Sequence, residues 1–158
     1  MEKQINTPVE IIDFLPEYQP AMKALNIEWL EKYFEVEPID EKVLSNPQQY
    51  IIDQGGKIFF AKIQEDIVGT VSLIKKSEHS YELSKMAVTD KVQSKGVGKI
   101  LMKHCIEEAK KLGAKEVFLL SNTRLSKAIN LYKKSGFVEE HFDGSDYKRA
   151  DIYMKLKL

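Results

Sequence analysis

The stretch Ala87–Met102, AVTDKVQSKGVGKILM, decides how the rest of the chain is read. It opens on the apolar end of a strand-like run, passes through polar residues, and enters helical periodicity at Gly96-Val97-Gly98. A junction of this kind presents several unpaired N–H groups and the positive end of a helix. Small residues there let an anion sit against the backbone, and Lys91, Lys95 and Lys99 add positive charge. A glycine-bearing turn with a solvated lysine face satisfies the same spacing, so the pattern alone leaves two readings open. Two familiar phosphate motifs do not fit. A P-loop would need glycine at Gln93 and Ser or Thr at Ile100, and a dinucleotide fingerprint would need a third glycine at Leu101.

Downstream, Val97, Ile100, Leu101, Cys105, Ala109 and Leu112 fall on one helical face that Gly113 closes. KEVFLLS is a short apolar strand, and TRLSKAINLYKKSG is helical, with Leu125, Ala128, Ile129 and Tyr132 at i, i+3, i+4 and i+7. FVEEHF and ADIYMKLKL read as strands around the turn DGSD. Upstream, SYELSKMAV is a strand preceded by the hairpin GKIFFAKIQ and IVGTVSLIKK, turning at Glu65–Asp66. PVEIIDF is a first strand and EYQPAMKALNIEWLEKYF an amphipathic helix. IDEKVLSNPQQYII is a second helix, capped by Asp40 and limited by Pro47. The order β-α-α-β-β-β-α-β-α-β-β predicts an α/β fold: one domain, residues 1–158, with a mixed central sheet flanked by helices.

Composition narrows the function. The 158 residues carry 24 basic and 24 acidic side chains, so there is no global basic field for nucleic acid. One cysteine excludes an internal disulfide and a cysteine-rich zinc site, and the three histidines have no metal-ligand spacing, so no metal is expected. No apolar run approaches membrane-spanning length and MEKQINTPVE has no signal core, which predicts a cytoplasmic protein without a membrane partner.

AVTDKVQSKGVGKILM resembles the Q/R-x-x-G-x-G/A signature of the GNAT family of N-acetyltransferases, with Gln93, Gly96 and Gly98 at the signature positions. SNTRLSKAINLYKKSGF resembles that family's downstream pattern through Ala128, Tyr132, Gly136 and Phe137. Many members carry asparagine where this chain has Leu125, with Asn122 nearby as a stand-in. The resemblance implies acetyl-coenzyme A (acetyl-CoA) as cofactor. Its pyrophosphate would lie on the amides of Gln93, Ser94, Lys95, Gly96, Val97, Gly98 and Lys99. Its pantetheine arm would pair with Met86, Ala87 and Val88 where two strands splay. Asn122 and Asn130 would contact it through their side chains, although Asn122 reads equally as a helix cap.

Acetyl transfer to an amine needs a base, an oxyanion donor and an acid for the departing thiolate. The resemblance makes Tyr132 the acid, where spacing alone reads a core tyrosine. It makes an amide of Ala87 or Val88 the oxyanion donor, and Glu82 or a water the base. Glu82 alternates with Ser84, Met86 and Val88, on a face otherwise mostly apolar, and a structural or substrate-contacting role stays open beside the catalytic one. Cys105 lies on a core face and reads as an inert thiol.

For the acceptor, Glu28, Glu31, Glu35, Glu37, Asp40 and Glu41 face one base, Lys32, on the two helices where the family builds its substrate lid. With Trp29, Tyr33 and Phe34 they would suit a cationic substrate; a solvated acidic face is the other reading. Tyr147 and Arg149 would equally meet a substrate carboxylate. The expected activity is N-acetylation of a primary amine on a small molecule, amino acid or peptide, by direct transfer in a ternary complex. A non-catalytic acyl-coenzyme A-binding domain is the alternative. Dimers are common in the family, so a homodimer belongs among the implied partners.

Overall fold

The structure, a computed structural model, describes residues 8–92 and 96–158. Its elements are β1 (Glu10–Asp13), α1 (Gln19–Tyr33), α2 (Pro38–Ser45), β2 (Lys57–Ile63), β3 (Asp66–Ser77), β4 (Ser80–Val88) and α3 (Val97–Lys111). There follow β5 (Glu116–Ser121), α4 (Ser126–Lys134), β6 (Val138–Glu140) and β7 (Ile152–Lys157). The element order matches the expectation from sequence. Among the described residues the strands form one sheet, ordered β1-β2-β3-β4-β5-β7-β6, in which only β4 and β5 run parallel.

The continuous apolar run in β2 shows how the layers are made, because its alternate residues enter two different cores. Phe59 and Ala61 pack with Leu101, Met102 and Cys105 of α3, on one side of the sheet. Ile58 and Phe60 pack with Met22 and Leu30 of α1 and Leu44 of α2, on the other. Gly69 on β3 lets α3 close in, since a Cβ there would lie 3.0 Å from Leu101 Cδ1 and 3.2 Å from Val97 Cγ1.

Several local expectations shift. The hairpin turn is Gln64–Glu65, one residue early, because Ile63 pairs with Asp66 and Gln64 takes φ 53°. Asp40 is not the cap of α2. Glu37 precedes the helix, and Asp40, one turn in, accepts its N–H at 2.9 Å. That helix ends at Ser45, and a separate π-helical turn, Gln48–Ile52, follows Pro47. On α3 the buried arc runs from Val97 through Leu101 and Cys105 to Met102. Ile100 lies off the edge of that arc and is 39% exposed.

The consequential difference is in β4. Thr70 pairs with Ala87 and Ser72 with Ser84, so two steps on β3 face three on β4, and Lys85 sits in the bulge at φ 54°. Tyr81 and Leu83 enter the α3-side core before the bulge, and Met86 and Val88 pack against the same core after it. Glu82 and Ser84 therefore do not share a face with Met86 and Val88. The extra residue reverses the alternation.

Candidate active site

The bulged β4 pairs with β5 only over Ser80–Glu82 and Glu116–Phe118. Beyond those residues the two strands splay, and two contiguous cavities occupy the gap. The larger, about 800 Å³, runs along Met86, Ala87 and Val88 to Gly96–Lys99 at the start of α3. Its far wall is the N-terminal half of α4 with Leu131, and its roof is the end of α1. The roof is tied down on both sides. Lys32 Nζ meets Asp90 Oδ1 at 2.8 Å, and the Arg124 guanidinium lies 4.7 Å over the Phe34 ring and donates to the Tyr33 carbonyl at 3.4 Å.

Among the described residues, packing does not call for glycine at Gly96 or Gly98: a Cβ on Gly96 would meet nothing within 4 Å, and one on Gly98 only Leu131 Cδ2 at 3.9 Å. Gly96 holds φ +76°, which a side-chain-bearing residue adopts at a cost. The first intrahelical hydrogen bond runs from Ile100 N–H to Gly96 O, so the amides of Val97, Gly98 and Lys99 precede the helical ladder at the cavity wall. The open space and the amide donors together form a cradle for an anion.

The smaller cavity, about 100 Å³, shares Trp29, Phe34, Met86 and Leu125 with the larger one. Its walls include Glu82, Ser84, Lys85, Asp40, Tyr132, Tyr147 and Arg149. Asp40 is fully buried and accepts from both Arg149 nitrogens at 2.7 Å and from Lys85 Nζ at 3.1 Å. Arg149 also meets Glu37 at 3.1 Å, and Lys85 Nζ donates to Tyr147 Oη at 2.6 Å. Burial works to raise the Asp40 carboxyl, but Arg149 and Lys85 hold it below the usual carboxylate range. Burial lowers the Lys85 ammonium despite Asp40 beside it. Glu82 pairs with the half-exposed Lys76 at 3.5 Å, and burial raises its carboxyl.

The residues expected from sequence thus divide. Met86, Ala87, Val88, Gly96, Val97, Gly98 and Lys99 line the groove; Gln93, Ser94 and Lys95 lie outside the described residues. Trp29 lines both cavities and Tyr33 the groove. Glu82 and Tyr132 reach the smaller cavity, where burial pushes the Tyr132 hydroxyl, bonded to Ser121, up to about 12. Asn122 also reaches it, tying loops together: its amide donates to Arg149 O at 2.7 Å and its oxygen accepts Arg124 N–H at 2.8 Å. Asn130 is exposed on α4 and lines neither cavity. The acidic lid does not offer its charge inward. Glu28, Glu31, Glu35 and Glu41 are exposed, and the inward pair Glu37 and Asp40 is matched by Arg149 and Lys85. Arg149 is accordingly committed within the protein. Lys85 is the residue that sequence reasoning missed. Its signal was a lysine placed by strict alternation with Tyr81 and Leu83, a conflict that only a bulge resolves.

A splay between two strands and a glycine-lined helix start beside it are the geometry expected from the family resemblance. The sequence matches the model of the acetyltransferase (GNAT) family over residues 21–137. The chain belongs to the GNAT acetyltransferase family. It is 30% identical over 131 residues to the uncharacterized N-acetyltransferase YvbK of Bacillus subtilis (strain 168), covering 81% of this chain and 84% of that one. Its fold is similar to a GNAT-family acetyltransferase from Staphylococcus aureus Mu50, with a TM-score of 0.86 at 19% identity over 95% of this chain and 99% of that one. It is also similar to the PaiA N-acetyltransferase of Thermoplasma acidophilum in complex with coenzyme A, with a TM-score of 0.75 at 19% identity over 96% and 99%. As a GNAT enzyme this chain is an acetyl-CoA-dependent acyltransferase.

Proposed function

We propose that this GNAT enzyme moves an acetyl group to a primary amine by direct transfer in a ternary complex. The observation that carries this reading is the shared wall of the two cavities at Trp29, Phe34, Met86 and Leu125, which lets donor and acceptor be held side by side. The larger groove fits acetyl-CoA. Val97, Gly98 and Lys99 would hold its pyrophosphate on their amides, and Met86–Val88 would flank its pantetheine arm. When bound, it supplies a thioester carbonyl carbon for the amine to attack.

The rest falls to the chain's own side chains. An alkylammonium is about one part in a thousand neutral at pH 7, so the acceptor must lose a proton on the enzyme. Glu82 is suited to take it. It is buried, lines the acceptor cavity, and has a carboxyl raised toward the neutral range by desolvation. Tyr132 holds its proton at every physiological pH, with a value near 12, and so acts as a donor for the leaving sulfur. Cys105 supports direct transfer, since it is buried in the core beneath α3 and burial raises its thiol.

Initial-rate kinetics with both substrates varied test the proposal. Intersecting double-reciprocal lines are expected, and parallel lines would replace direct transfer with a covalent acetyl-enzyme. Tyr132→Phe should lower turnover about tenfold or more with coenzyme A affinity nearly intact, in the range of a general acid. Unchanged turnover would remove that role.

A further inference from the structure

We infer that the acceptor is a small free amino acid whose carboxylate is held by Lys85 and Tyr147 while its amine faces Glu82. This narrows the acceptor of the acetyltransferase reading above and rests on it.

The starting observation is backbone strain. Lys85 occupies the left-handed region, φ 54°, where glycine or asparagine would sit at less cost. The bulge swings its side chain out of the α3-side core toward α2, where it is 4% exposed on the wall of the acceptor cavity. A lysine ammonium has three hydrogens. Asp40 Oδ1 at 3.1 Å and Tyr147 Oη at 2.6 Å take two of them. Tyr147, as an acceptor in that bond, keeps its own O–H to give. The third Lys85 hydrogen and the Tyr147 hydroxyl are therefore adjacent donors, their heavy atoms 2.6 Å apart, on one cavity wall. A carboxylate, with two oxygens side by side, is the group that accepts both.

Charge leads the same way. Lys85 and Arg149 balance Asp40 and Glu37, leaving Glu82 as the buried carboxylate whose ion pair, among the described residues, is with the half-exposed Lys76. Glu82 and Lys85 feel each other's charge. A zwitterion places an ammonium beside Glu82 and a carboxylate beside Lys85. A diamine would set a second cation against Lys85 and Arg149. Size sets the remaining limit. The cavity, about 100 Å³ against about 800 Å³ for the neighbouring groove, restricts the acceptor to a compact molecule. A peptide N-terminus offers an amide in place of the carboxylate.

Thiol release would be followed with alanine, ethylamine and alaninamide, at saturating acetyl-CoA. We expect the kcat/KM of alanine to exceed those of the other two by at least about tenfold, as for a site whose donors are left unpaired by the wrong substrate. Lys85→Met should bring that ratio close to one, mainly through the KM for alanine. Tyr147→Phe, which leaves the ion cluster in place, should lower the ratio severalfold and decides the matter if Lys85→Met does not fold. Equal use of ethylamine or alaninamide by the wild type overturns the amino-acid acceptor and leaves the acetyltransferase reading standing. A ratio unchanged in both variants overturns the role of the two residues. Turnover of no amine at all, with coenzyme A bound by calorimetry, overturns both readings together.

Discussion

At Gly98 a Cβ would meet, among the described residues, only the Leu131 side chain, so packing leaves room for a side chain there, whereas a bulky one would crowd the anion cradle. Gly98→Val is therefore expected to act with opposite signs on two measurements. Folding stability should rise, by roughly 0.3 kcal/mol, because valine loses less backbone entropy in a helix than glycine. Coenzyme A affinity by calorimetry should fall, and unaltered affinity would contradict the cradle. Glu82 allows a second opposition. Its folded carboxyl is raised, so the native state binds the proton more tightly than the unfolded chain, and stability falls as pH rises from the unfolded value to the folded one. Glu82→Gln should then unfold at a slightly higher temperature at pH 8 while losing the rise of kcat/KM with pH that a base of raised pKa produces. A lower melting temperature would show that the ionised form is better satisfied than burial implies. Both glycines and Glu82 were legible in the sequence. Lys85 was not, because its side chain acquires meaning only through the residue inserted beside it.

Among the elements, β2 and β4 show how far patterning reaches. The run Ile58–Ala61, read from the sequence only as a hairpin strand, sends alternate residues into two cores on opposite faces of the sheet. Phe60→Ala should cost about 3–5 kcal/mol of unfolding free energy by denaturant titration, since Phe60 is fully buried beneath α1 and α2. A cost under 1 kcal/mol would mean that this core collapses to fill the space. In β4 the period-2 pattern holds up to Leu83 and resumes at Met86 in the opposite phase. A pattern of alternate residues cannot register an insertion until partners are known, so the face of Glu82 was misassigned. On α3 the error was smaller: Ile100 lies outside an arc set by where β2 and β3 meet the helix.

At the scale of the whole molecule, three segments far apart in the chain meet at Asp40: α2, the β4 bulge and the loop carrying Tyr147 and Arg149. A buried carboxylate with two cations stabilises the assembly only while all three are charged, so Asp40→Ala should cost about 3–5 kcal/mol and loosen the smaller cavity. Near-wild-type stability in denaturant would mean that Lys85 and Arg149 find other partners. The Asp40 carboxyl lies below its unfolded value, near 3.9. Its stabilisation is thus present above that pH and is lost as acid takes the pH through the folded value. Asp40→Asn should flatten the dependence of unfolding free energy on pH below about 4, and an unchanged slope would assign acid sensitivity to other carboxylates.

The sequence by itself determined the element order and the glycine-lined helix start, because hydrophobic period and glycine placement are local properties of the chain. Only the tertiary structure decided what the acidic stretch before α2 does. Glu37 and Asp40 read as free negative charge until Arg149 and Lys85 arrive from distant segments to neutralise them. Charge pairing acts through space, and no periodicity along the chain records it.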